Sequence, residues 1–136
     1  MAIASGSGSV MREFDFMEIK GTPKVSTAIT KGQVLVNWNG QGYRPSFANG
    51  HGPYYVALET AASAASPSDI KILKRGVVKL TAQAATNEGS WVVPASNAGE
   101  VTPFTSPAGT TKLACIVGVA LEDVSAAECG KFLIGY

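Results

Sequence analysis

Apolar residues in this chain follow a period of two, and no window of a dozen residues sustains the 3.6-residue spacing of an amphipathic helix. In residues 112–121, Leu113, Cys115, Val117, Val119 and Leu121 fall on one face of an extended strand, and Ala114, Ile116, Gly118 and Ala120 on the other. A strand apolar on both faces belongs inside a sheet. With a return strand over residues 131–136, it is the expected centre of the fold. An earlier segment has the same plan. Tyr54-Tyr55 leads into Val56-Ala57-Leu58-Glu59, a small-residue loop follows over 60–68, and Ile70-Lys71-Ile72-Leu73-Lys74-Arg75-Gly76 completes the unit. The later copy reads Val119-Ala120-Leu121-Glu122, then Ser125-Ala126-Ala127, then Lys131-Phe132-Leu133-Ile134-Gly135. Each is preceded by a strand led by glycine, at Gly32 and at Gly89. The prediction is a mainly β protein of eight or nine strands, a single barrel-like domain built from two similar β units.

The remaining segments fill in this plan. Residues 1–9 are small and Gly/Ser-rich, lose much backbone entropy on ordering and bury little, so a mobile lead is expected. Residues 11–19 place Phe14 and Phe16 on one strand face and Met17 and Ile19 on the other, before Gly21-Thr22-Pro23 breaks the run. This divides the chain into an N-terminal arm, 1–30, and a β domain, 31–136. Turn dipeptides Asn39-Gly40, Asn49-Gly50 and Gly52-Pro53 mark a long surface loop between two strands of the first unit. At Gly76 the strand from Ile70 is expected to kink or bulge and continue through Val77-Val78-Lys79-Leu80.

A chain of 136 residues suffices for one domain with its own core. Charged residues make up 15%, with 11 Lys and Arg against 10 Asp and Glu, well under the average of about 25%. Such a surface suits packing against other proteins and lacks the clustered bases that neutralise nucleic-acid phosphates. The one basic cluster, Lys71, Lys74 and Arg75, reads as a solvated strand end. No run is long and apolar enough to suggest a membrane span, and the first residues do not resemble a secretory signal. Cys115 reads as a buried apolar side chain and Cys129 as a loop thiol, too far apart along the final hairpin for a disulfide.

Residues for chemistry are scarce. The single histidine, His51, sits in a glycine-rich loop without a Gly-x-Ser-x-Gly nucleophile motif. One His and two Cys do not make a zinc set, and Glu122, Asp123 and Glu128 match no calcium-loop spacing. No enzyme activity, cofactor or metal is expected. The aromatic loop residues Trp38, Tyr43, Phe47, Tyr54 and Tyr55 either anchor the loop against the barrel or, through Trp38 and Tyr43, stack on sugar rings as in a carbohydrate-binding module.

The two Val-Ala-Leu-Glu units, the Arg75-Gly76-Val77-Val78 step, the strand Glu88-Gly89-Ser90-Trp91-Val92-Val93 and the closing Ile116-Val117-Gly118-Val119-Ala120-Leu121-Glu122 together resemble the tailed-virus capsid decoration, or head-stabilising, proteins with the lambda-type head decoration fold. The resemblance covers residues 31–136. It implies a β-tulip or barrel-like fold and homotrimers at local three-fold positions on the outer capsid surface of the virion, after synthesis in the host cytoplasm. The implied partners are the major capsid protein and further copies of the chain, with no nucleic acid or membrane. It further implies an arm contact with the capsid, for which Val10, Met11, Phe14, Phe16, Met17 and Ile19 are the candidates. Trp38, Tyr43, Phe47 and His51 are candidate loop contacts.

Overall fold

Alternation of apolar and polar residues with β-branched enrichment builds nine strands, and no helix is present among the described residues. The computed structural model describes residues 3–4, 6–10, 16–37, 39–48, 52–104 and 116–135. The strands are β1 (Met17–Gly21), β2 (Val34–Asn37), β3 (Tyr43–Pro45), β4 (Tyr55–Ala57), β5 (Ile70–Thr81), β6 (Trp91–Pro94), β7 (Val101–Pro103), β8 (Gly118–Ala120) and β9 (Cys129–Ile134). They form one curled antiparallel path in the order β3-β2-β4-β5-β9-β8-β6-β7, with β1 added on β5. The result is the mainly β, barrel-like domain expected.

The organising strand is β5. Its first half pairs with β1 and β4, and its second half pairs with β9. Gly76 stands at the change, with φ of 143°, a conformation that side chains with a Cβ rarely adopt. The expected kink at this glycine is therefore where one strand passes from one sheet to the other. The described part of the 112–121 segment lies inside the sheet, paired on both sides. Among its described residues the strand is Gly118–Ala120, lying between β6 and β9, and residues 112–115 lie outside the described residues.

The duplication is present in the strand pairing and in several hydrogen bonds. Val56 and Ala57 face Leu73 and Ile72, and Val119 and Ala120 face Leu133 and Phe132. The Glu59 carboxylate accepts from the Lys71 backbone N–H at 2.7 Å, and Glu122 accepts from that of Lys131 at 2.8 Å. Gly32 N–H donates to Ala57 O and Gly89 N–H to Ala120 O, each at 2.8 Å. These two glycines have φ of 93° and 85°, which accounts for the glycine at the head of each unit. The equivalence reaches further than the sequence suggested. Cross-strand pairs Glu18–Leu73, Ile19–Ile72 and Lys20–Lys71 match Val77–Leu133, Val78–Phe132 and Lys79–Lys131, so β1 is the counterpart of the second half of β5. The first unit thus runs from β1 to Arg75 and the second from Gly76 to the end of β9. Bridges from Pro23 to Tyr43 and from Ala82 to Val101 curl each unit towards closure.

Two apolar clusters result. The larger joins Val34, Val36, Val56 and Leu73 of the first unit to Val78, Val92, Phe132 and Ile134 of the second. The smaller holds Ile29, Leu35, Ala57, Ile70 and Ile72 within the first unit.

Several expectations are corrected. The boundary at residue 30 falls inside the first unit, because β1 pairs with this chain's own β5 and Ile29 is 1% exposed. The described part of the Gly/Ser lead is docked as well. Gly8 N–H donates to Lys79 O at 2.7 Å, Lys79 N–H to Ser9 O at 3.1 Å, and Val10 bridges Val78. The Ser7 and Thr81 hydroxyls lie 2.8 Å apart and both side chains are buried. These bonds satisfy the outer edge of β5, which would otherwise present unpaired donors and acceptors. Tyr43–Pro45, expected as loop, is a strand on β2. Cys129, expected in a loop, opens β9 opposite Thr81.

Candidate functional site

The described residues offer surfaces rather than a cluster of reactive groups. Among the described residues, no three His, Cys, Asp or Glu side chains converge as metal ligands. Glu122 and Asp123 act locally: Asp123 accepts from the Glu88 N–H at 2.8 Å, and Glu122 holds the Lys131 N–H.

Where the two units meet, the β5 kink leaves a cleft of about 420 Å³. Met17, Tyr54, Tyr55, Lys74 and Arg75 line it from the first unit, and Val117 and Gly135 from the second. The close approach of the chain end requires a glycine, since a Cβ on Gly135 would lie 2.5 Å from the Lys74 carbonyl oxygen. The lining combines Met17, Tyr54, Tyr55 and Val117 with the side chains of Lys74 and Arg75.

Among the described residues of the arm, three of the four candidates face inward. Val10 and Phe16 pack on the larger cluster and Ile19 on the smaller. Met17 is the exception, 37% exposed at the rim of the cleft. Met11 and Phe14 lie outside the described residues, as do Trp38 and His51.

The loop aromatics that are described act as anchors. Tyr43 and Tyr55 meet edge to face, with centroids 5.1 Å apart and planes at 86°. The Tyr43 ring also lies against Gly21, where any Cβ would collide with it. Burial, then the neighbouring Tyr55, push the Tyr43 phenol above its ordinary 10.0. Phe47 packs on the larger cluster, with the Arg44 guanidinium 5.0 Å above its ring. For these described aromatics the geometry is that of loop anchoring.

Sequence reasoning missed a third surface. Trp91 of β6, Val119 of β8, Leu133 of β9 and Val77 of β5 are consecutive cross-strand partners, so they form one apolar row on one face. Trp91 is 55% exposed, Val119 and Leu133 are half-buried, and Leu121 on the neighbouring row is 40% exposed. The signal was in the repeat, because the aligned units predict which residues share this row.

The fold and surfaces define an all-β, barrel-like protein of two fused units. No protein-family model matches the sequence, and no curated protein does. Among solved structures the chain is similar to the head fibre gp8.5 N base of bacteriophage phi29, with a TM-score of 0.63 over 87% of this chain and 94% of that one. The two sequences are 14% identical, so the likeness is one of fold.

Proposed function

We propose that this chain is a structural protein of a tailed-phage head, which binds the outer capsid surface of the expanded shell as homotrimers, stabilises it and catalyses no reaction. The observation that carries the reading is the fold shared with a phage head fibre base over nearly the whole of both chains. The resemblance of the repeated units to capsid decoration proteins points the same way.

The energetics are those of linkage. A protein that binds the expanded shell and not its precursor lowers the free energy of that state alone, in proportion to the logarithm of ligand concentration over Kd. The major capsid protein is the proposed partner. Because Phe16 and Ile19 are committed to this chain's own clusters, the head contact is assigned to the exposed Met17 and the cleft beside it.

Cosedimentation with expanded and unexpanded heads of the phage that encodes the chain tests this. Binding to expanded heads, with a higher temperature of DNA release, is expected, and Met17→Asp should weaken it at least tenfold. Binding to neither form of head would remove the reading.

A further inference from the structure

A strand paired on one side only leaves half of its backbone donors and acceptors facing outward. In the second unit the latter half of β5 has such groups taken by the chain itself. Gly8 and Ser9 together oppose Lys79, whose C=O accepts from the Gly8 N–H at 2.7 Å and whose N–H donates to Ser9 O at 3.1 Å. Gly8, with φ of 86°, is the left-handed glycine that a bulge of this kind requires. In the first unit the counterpart of Lys79 is Lys20, since Lys20 faces Lys71 as Lys79 faces Lys131. Its backbone direction follows from that partner. Lys71 turns both of its backbone groups to the far side, donating to Glu59 at 2.7 Å and accepting from the Leu58 N–H at 3.0 Å. Lys20 and Lys71 therefore exchange no bond, and the Lys20 N–H and C=O point away from β5. Among the described residues nothing takes them. Two residues on, Thr22 O accepts from the Tyr43 N–H at 3.0 Å, so β3 closes the edge there. At Lys20 the edge opens instead into a cleft of about 340 Å³, lined by Lys20, Gly21 and Thr22 with Asn37, Gly40 and Gln41 of the β2–β3 hairpin. We infer that the outer edge of β1 at Lys20 is a docking site for an extended acidic segment of a partner protein, which adds to the sheet as one further strand.

The backbone calls for an extended segment, and charge narrows its chemistry. Lys20 and Lys71 stand directly opposite each other and both are exposed, an arrangement in which like charges repel. Among the described residues neither ammonium group pairs with a carboxylate. The nearby acids are placed otherwise: Glu18 stands opposite Leu73, and Asp69 accepts from the Thr22 hydroxyl. A carboxylate across from Lys20 on the added strand continues the row from Lys71 and neutralises it, while a basic segment would add a third like charge. Under the proposed function the owner of such a segment is the major capsid protein, and the docking site is tested without heads.

The probe is a synthetic peptide of residues 4–10, the segment that fills the equivalent edge, carrying Ser9→Asp to set a carboxylate across from Lys20. Amide exchange is followed residue by residue by NMR. In the free chain the Lys20 amide should exchange at least tenfold faster than that of Lys79, and millimolar peptide should slow it at least threefold while Lys79 stays unchanged. Lys20→Glu should abolish the effect and transfer it to a peptide carrying Ser9→Lys. Lys20→Pro removes the outward N–H without touching the β1–β5 ladder, and should weaken binding at least tenfold, read from the Gly21 resonance with circular dichroism as the folding control. A Lys20 amide as slow as that of Lys79 in the free chain overturns the proposal, because the edge is then already covered. So does peptide that leaves Lys20 unprotected, or binding that neither substitution changes. Head binding without peptide binding removes the docking site and leaves the proposed function standing, and peptide binding without head binding does the reverse.

Discussion

The two units have the same strand order, the same register apart from a shift at Met17–Glu18 and a shared glutamate-to-backbone bond, yet their outer rows differ in burial. Val34, Val56 and Leu73 are shut away, whereas Trp91 is 55% exposed and Val119 and Leu133 are half-buried. Both rows are apolar. The pattern of a strand records that its face is meant to be covered, without saying whether the cover belongs to the same chain. Duplication supplies that missing information, because the covered copy shows what the open one lacks.

The sharpest way to break the comparison is to remove β1, the first unit's counterpart of the second half of β5. Deleting residues 1–21 strips the outer edge of β5 along both halves and uncovers Ile72 and Ile19's other neighbours, so loss of cooperative folding is expected by thermal denaturation. A deletion that melted like the full chain would show that β1 is an appendage. Next in size is a matched pair of truncations. Leu73→Ala, at a fully buried site, should cost about 2–5 kcal/mol in urea denaturation. Leu133→Ala, at its half-buried equivalent, should cost roughly 1 kcal/mol. Equal losses would mean that the second row is covered within the monomer.

Smaller effects sharpen the likeness of the units. Glu59→Ala and Glu122→Ala remove the same bond from equivalent loops, and each should cost on the order of 1 kcal/mol. The two midpoints should agree, and a large disparity would argue against equivalence. The smallest effect concerns Tyr43, which stands where the second unit has Val101. Its phenol is raised in the folded state, so its contribution is intact below about pH 10 and declines as pH climbs through the raised pKa. Tyr43→Phe should flatten the loss of stability above about pH 10, read from urea midpoints.

Much of this fold is legible in the residues. Val-Ala-Leu-Glu announces each unit because the Val and Ala face their partners across the strands and the Glu caps the return strand's N–H. Gly76 marks the crossing because only a glycine tolerates its backbone conformation. Other features are hidden by their composition. Gly8 and Ser9 bind through backbone atoms alone, so nothing in their side chains announces docking on Lys79. β1 alternates weakly because its Glu18 and Lys20 occupy positions where the second unit has Val77 and Lys79. Phe16 and Ile19 have the apolar character of an outward anchor, and burial in the chain's own clusters satisfies that character equally well.

The crossing of β5 from one sheet into the other also sets an order of events. A nascent chain can complete the first unit once residue 75 is available, whereas the segment at Gly8 and Ser9 has nowhere to bind until Lys79 has been added. Gly8 and Ser9 are thus fixed later than the first-unit strands that follow them in sequence. In the finished protein, amides near residues 72–80 are held on both strand edges by neighbours from both units, and they exchange with solvent only when the molecule unfolds as a whole. Amides of the peripheral β3 and β7 exchange through local opening, so deuterium uptake should report a slow centre between two faster margins.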